Sequence, residues 1–139
     1  MTTYADRVSV ATNLFAGWSS GDPDAPEPYF APDGVLFDVA SGRFEGWPAI
    51  RTFFANGLLR THGLALVPDE FWSNDEGLAV HYVMSGDTIA PTSLGEEFVG
   101  RRWSVEVMSF LRFDASGRVC YEADFHDKGS RAKSLGIEG

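Results

Sequence analysis

Residues 29–58 read YFAPDGVLFDVASGRFEGWPAIRTFFANGL, and this stretch decides the fold. Val35 to Val39 is a short apolar run with a single carboxylate, Asp38, near its end. Ser41-Gly42 is a turn signal, and Pro48 suits the first turn of a helix whose buried face is Ile50, Phe53, Phe54 and Leu58. Strand, tight turn and helix therefore follow one another within thirty residues. The groups around Asp38 are mostly apolar. Burial penalises the charged form, so the Asp38 pKa is expected to rise, which would make it a general base near neutral pH.

Outward from this stretch, the N-terminal side gives one more long helix. Thr3 and Asp6 are spaced as a capping box, with Asp where Glu or Gln is usual. Val8, Ala11, Leu14, Phe15 and Trp18 then recur at helical spacing, which predicts a helix from about Tyr4 to Ser19. Gly21, Pro23, Pro26 and Pro28 end it, and a helical turn near Tyr29 and Phe30 follows.

The C-terminal side reads as sheet. Strands are predicted over Leu64–Trp72, Leu78–Ser85, Phe98–Phe113 and Val119–His126. Pro68 marks an edge or a bulge in the first of them. Asn74–Gly77 and Asp114–Gly117 are turns, and Thr88–Gly95 is a loop. Asp127 is placed to cap a last short helix around Arg131–Leu135. Helices early and hairpin strands late indicate an α+β domain covering residues 1–139.

Composition narrows the function. The 139 residues suit one core, with 44% hydrophobic and 14% aromatic residues. A net charge of -9 disfavours nucleic acid and anionic membrane surfaces as partners. The one cysteine, Cys120, leaves no internal disulfide and no cysteine zinc site, which fits the cytoplasm. Neither a signal peptide nor a membrane span is expected.

FAPDGVLFDV followed by FEGWPAIRTFF, and GRVCYEADFHD followed by SLG, resemble the nuclear transport factor 2-like superfamily. The narrower resemblance is to its SnoaL-like polyketide cyclases and ketosteroid isomerases. It implies a cone: a curved antiparallel sheet wrapped around N-terminal helices, enclosing an apolar pocket. Resemblance to ketosteroid isomerases puts Asp38 at the position of the proton-shuttling base. Their oxyanion tyrosine falls at Leu14 and their protonated aspartate at Ser109. SnoaL-like cyclases and limonene-epoxide hydrolases both place an acid–base carboxylate at Asp124. The Arg and second Asp of the hydrolases fall near Val83 and Ser85.

The facing of the last strand stays open. Alternation alone puts Val119, Tyr121, Ala123 and Phe125 inward. The resemblance instead turns Glu122, Asp124 and His126 to the cavity, on a wall opposite Asp38, and turns the apolar set to a partner subunit. Met108 and Phe110, opposite the interior face of Trp103, Val107 and Ser109, fit a homodimer through the outer sheet face.

The candidate catalytic residues are Asp38, Asp124 and His126. Leu14, Trp18, Phe54, Tyr82, Trp103, Val107, Ser109 and Glu122 are the candidate substrate-binding residues. Glu122 has a second reading as an ion-pair partner of Arg102 or Arg112. His81 is expected to point outward, His62 follows a helix end, and Cys120 reads as an inert thiol. Glu122, Asp124 and His126 make only a weak metal-ligand signal, so no metal and no cofactor is expected. The reading is a cofactor-independent isomerase- or cyclase-like enzyme for a small apolar molecule such as a steroid, terpenoid or polyketide. A non-catalytic ligand-binding or dimerisation module, and water addition of the epoxide hydrolase kind, are the alternatives.

Overall fold

The computed structural model describes residues 3–90 and 99–136. Helix α1 is Tyr4–Trp18, and its Thr3–Asp6 capping box is formed in both directions. A 3-10 turn, Glu27–Tyr29, leads into strand β1, Phe30–Asp38. β2 is Gly42–Glu45 and helix α2 is Trp47–Leu58. β3 (Thr61–Asn74), β4 (Gly77–Thr88), β5 (Arg102–Phe113) and β6 (Val119–Phe125) follow. Helix α3, Lys128–Ser134, is capped by Asp127, whose side chain accepts from the Gly129 N–H.

The first strand is longer than its apolar run suggests. A register shift between Phe30 and Val35 interrupts its pairing with β6. There a side chain at Gly34 would strike the Phe30 ring. Gly46 caps α2 at φ 83°, in the left-handed region that glycine adopts freely. β3 begins at Thr61, so His62 lies inside a strand rather than just past a helix. The expected bulge is present between Pro68 and Glu70, and β3 is an edge strand. Most of the loop expected over Thr88–Gly95, and the strand start expected at Phe98, fall in 91–98, outside the described residues.

The six strands form one sheet in the order β2-β1-β6-β5-β4-β3. All neighbours are antiparallel except β1 and β6, which run parallel. The sheet curves around α1 and α2. Leu14, Phe15, Ile50, Leu78, Val80 and Leu111 are fully buried between them. Ser19 pins the end of α1 to β3, its Oγ accepting from the Leu66 N–H at 2.9 Å. Trp18 meets Phe54 edge-on with ring centroids 4.7 Å apart, a favoured aromatic geometry. This α+β architecture is the one read from the sequence.

Candidate active site

A cavity of about 740 Å³ opens between the concave sheet face and the helices. Apolar side chains make most of its wall, among them Trp18, Leu36, Phe53, Phe54, Met84 and Trp103. Three acidic groups and one imidazole reach it: Asp38, Glu122, Asp124 and His126.

Their arrangement follows from strand register. Asp38 on β1 is level with Asp124 on β6, which is level with Ser109 on β5. Side chains at register-matched positions share a sheet face, so all three belong to the concave side. Glu122 is two residues back on the same face. Hence the polar set of the last strand faces the cavity, and Phe125 is half exposed on the outside. Asp38 stands beside Asp124 rather than on an opposite wall, which corrects that expectation.

The polar groups form two connected clusters. In the first, His126 Nε2 lies 3.0 Å from Asp38 Oδ2. Asp38 Oδ1 accepts from the backbone N–H of Ala40 at 2.9 Å and of Ser41 at 3.0 Å. Burial alone would raise the Asp38 pKa. The hydrogen bond and charge of His126, with the two backbone donors, outweigh it and hold the carboxyl below its ordinary value. The expected rise at Asp38 is thus reversed. His126 shifts the other way, raised chiefly by its bond to Asp38. Below that raised value the two form an ion pair, imidazolium on carboxylate.

The second cluster is centred on Asp124. Ser109 Oγ donates to Asp124 Oδ1 at 2.5 Å, and Tyr82 Oη is 2.9 Å from Ser109 Oγ. Since the Ser109 hydrogen goes to Asp124, the Tyr82 hydroxyl is the donor to Ser109. Glu122 is hydrogen-bonded to Asp124, and its Oε1 accepts from Trp18 Nε1 at 3.3 Å. Burial pushes Glu122 well above its ordinary value, with the charge of Asp124 adding to the effect. Glu122 therefore keeps its proton and donates it to Asp124. Asp124 is raised by burial to about 6, the bonds from Glu122 and Ser109 limiting the rise. Tyr82 is also raised, by burial first and then by Asp124 and Glu122, so its hydroxyl stays neutral.

Asp38, Asp124, His126, Trp18, Phe54, Tyr82, Trp103, Val107 and Glu122 all line the cavity. Two other expected residues do not. Leu14 is fully buried in the core. Ser109 is buried behind Asp124 and Tyr82, so it reaches the cavity only through them. Glu122 is not paired with Arg102, which bonds Ser85 and Asp87, nor with Arg112, which lies over Phe110 and Tyr121. His81 points away from the cavity, as expected, with its Nδ1 2.6 Å from Asp69. Cys120 is free and half-buried, and burial raises its thiol pKa. Among the described residues, no group of three or more His, Cys, Asp or Glu is arranged to hold a metal ion.

Arg131 was not singled out by sequence. It lines the cavity from α3, its guanidinium 4.2 Å from the Trp103 ring centroid. Arg60, Thr61 and Met84 also line the cavity unexpectedly. The signal for Arg131 is weak in sequence, because it depends on α3 folding back onto β5. The Ser104 N–H to Ser134 Oγ bond at 3.0 Å fixes that docking.

Residues 11–122 match the model of the SnoaL-like domain family, and the chain belongs to that family. Solved structures agree on the fold. A protein from Xanthomonas campestris pv. campestris, proposed to be a polyketide cyclase, superposes with a TM-score of 0.84 at 14% identity, over 94% of this chain and 97% of that one. A hypothetical protein with a ketosteroid isomerase-like fold from Catenulispora acidiphila DSM 44928, in complex with trimethylamine, gives 0.78 at 20% identity, over 93% of each chain. An LEH-like epoxide hydrolase from M. tuberculosis gives 0.75 at 14% identity, over 94% of this chain and 90% of that one. At these identities the likeness is one of fold, the nuclear transport factor 2-like cone. A comparison with curated proteins finds no match.

Proposed function

We propose that this protein is a cofactor-independent acid–base enzyme, of isomerase or cyclase type, acting on a small and largely apolar molecule such as a polyketide, steroid or terpenoid. The observation that carries this reading is Asp124: a carboxyl raised to about 6, facing an apolar cavity and held by Ser109 and Glu122. A base is most useful when its pKa lies near the working pH. Asp124 fits that requirement and Asp38 does not, so this reading gives the base role expected of Asp38 to Asp124.

Asp124 as carboxylate takes a proton from a carbon next to a substrate carbonyl. The C–H electron pair becomes the enolate double bond. Where the enolate is conjugated with a further C=C bond, it recovers the proton from the Asp124 carboxyl at the far carbon and the double bond shifts. Otherwise it attacks a second carbonyl carbon to close a ring, and the alkoxide so formed takes the proton from the Asp124 carboxyl. His126, kept as imidazolium by Asp38, is the donor suited to the developing oxyanion. The same residues would serve water addition to an epoxide, but Val83 and Ser85 supply neither the arginine nor the second aspartate of the limonene-epoxide hydrolases.

A specific observation favours a second reading, ligand binding without proton transfer. The hydroxyl hydrogens of Tyr82 and Ser109 are already spent within the Asp124 cluster, so neither is free for a substrate oxygen. Solvent exchange separates the two readings. The protein is incubated in deuterium oxide with cyclic ketones: a steroid 5-en-3-one, menthone and a bicyclic β-ketoester. Mass spectrometry then follows deuterium uptake. Uptake above the buffer rate, lost in Asp124→Asn, supports the enzyme. Ketones that bind in the cavity yet exchange only at the buffer rate support the carrier.

The homodimer belongs to the same proposal. Phe125, Met108 and Phe37 gather on the outer sheet face, Phe125 half exposed and 6.2 Å from the Phe37 ring. A second copy packed on this face would cover them.

A further inference from the structure

The acid–base chemistry uses the two carboxylate clusters and His126. Two cations of the cavity are left without a role, the exposed Arg60 and the partly buried Arg131. Arg131 makes no ion pair among the described residues, and its Nε is buried with no hydrogen-bond partner. Its Nη atoms also make no hydrogen bond to described residues. Buried donors are normally satisfied, and an unpaired one marks a missing partner. The guanidinium carbon stands 4.2 Å from the Trp103 ring centroid, a cation–π contact that holds the group at the cavity wall. Burial lowers its pKa, and no carboxylate offsets that burial. By contrast, the other cavity cation with a fixed position, His126, is already paired with Asp38.

We propose that Arg131 receives a carboxylate carried by an aromatic ligand of this cavity, the ring system lying among Trp18, Phe54 and Trp103. This rests on the reading of the cavity as a site for small apolar molecules and names the polar group such a molecule carries. A guanidinium edge matches a carboxylate with two parallel N–H···O bonds, whereas a neutral hydroxyl accepts only one. The anion also balances the positive charge of Arg131, which no carboxylate of the wall offsets. It would hold the ligand by the α3 end of the cavity.

The test is calorimetric titration of the full chain with two probes of nearly equal shape, anthracene-9-carboxylate and 9-anthracenemethanol. The carboxylate is expected to bind about ten-fold more tightly, as a charge-assisted bond allows. Arg131→Gln is expected to remove that preference while the alcohol binds unchanged. Arg112→Gln, on the outer face, is expected to keep it. Equal affinities in the wild type, or a preference that survives Arg131→Gln, would overturn the proposal and leave the apolar-cavity reading intact. If the wild type binds neither probe, both fall together. Should Arg131→Gln fail to fold, Arg131→Lys decides, because it keeps the charge and loses the fork: a preference unchanged from wild type overturns the proposal.

Discussion

His126 Nε2 stands 3.0 Å from Asp38 Oδ2, and both side chains are nearly buried. The pair sets the charge of each member. Asp38 is held ionised although its surroundings oppose charge, and His126 keeps its proton to higher pH than an ordinary imidazole. Removing the carboxylate charge with Asp38→Asn should therefore lower the His126 pKa from above 6.5 in the wild type to 6.5 or below. Proton NMR of the His126 ring through a pH series reads this directly, and an unchanged midpoint would show that the pair carries no charge.

The same pair makes stability depend on pH, and the sign can be worked out. Asp38 is lowered, so its contribution is present above its unfolded value of 3.8 and is lost as pH falls through the folded value. His126 is raised, so its contribution is full below 6.5 and is lost as pH rises through the folded value. The pair is fully stabilising between those two values. His126→Ala should cost about 3 kcal/mol inside that window, because it strands a buried carboxylate. Its cost should shrink toward higher pH. Urea unfolding at pH 5.5 and pH 9 measures both, and equal costs would contradict the ion pair.

Activity should follow Asp124. With a suitable ketone, kcat/KM is expected to rise with an acid-limb midpoint of about 6 as Asp124 ionises, and to fall again at higher pH as His126 loses its proton. Asp124→Asn should lower the rate by about 10² to 10⁴ with little change in ligand affinity. A variant that turns over normally would remove Asp124 from the chemistry.

Glu122 offers a sharper comparison. It keeps its proton, so Glu122→Gln replaces one neutral donor by another and should leave folding and activity close to wild type. Glu122→Ala should cost about 2 kcal/mol or more, since it opens a cavity and leaves Trp18 Nε1 without an acceptor. Thermal unfolding of the two variants separates them. A Gln variant as unstable as Ala would mean that Glu122 is ionised.

Much of this fold was legible because its signals are local. The Thr3–Asp6 box, the Pro48 helix start, the Pro68 bulge and the Asp127 cap each depend on neighbours a few residues away. The facing of β6 was not legible from alternation. Its polar residues serve the cavity, and Phe125 points away from it, so a rule that sends apolar groups inward fails there. That Asp38, Asp124 and His126 meet in one cavity could be read, but not how their side chains pair. That pairing depends on His126 Nε2 reaching Asp38 and on Ser109 reaching Asp124, contacts across neighbouring strands whose register the pattern does not give. Arg131 escaped for a similar reason: its place over Trp103 depends on how α3 docks on β5.

The account turns on which carboxyl is poised near neutrality. Carbon-13 NMR of the aspartate side-chain carboxyls, titrated from pH 3 to pH 9 and assigned with Asp38→Asn and Asp124→Asn, measures this without any substrate. The expected result is a midpoint of about 6 for Asp124 and one below 3.8 for Asp38. An ordinary midpoint at Asp124, or a raised one at Asp38, would contradict it.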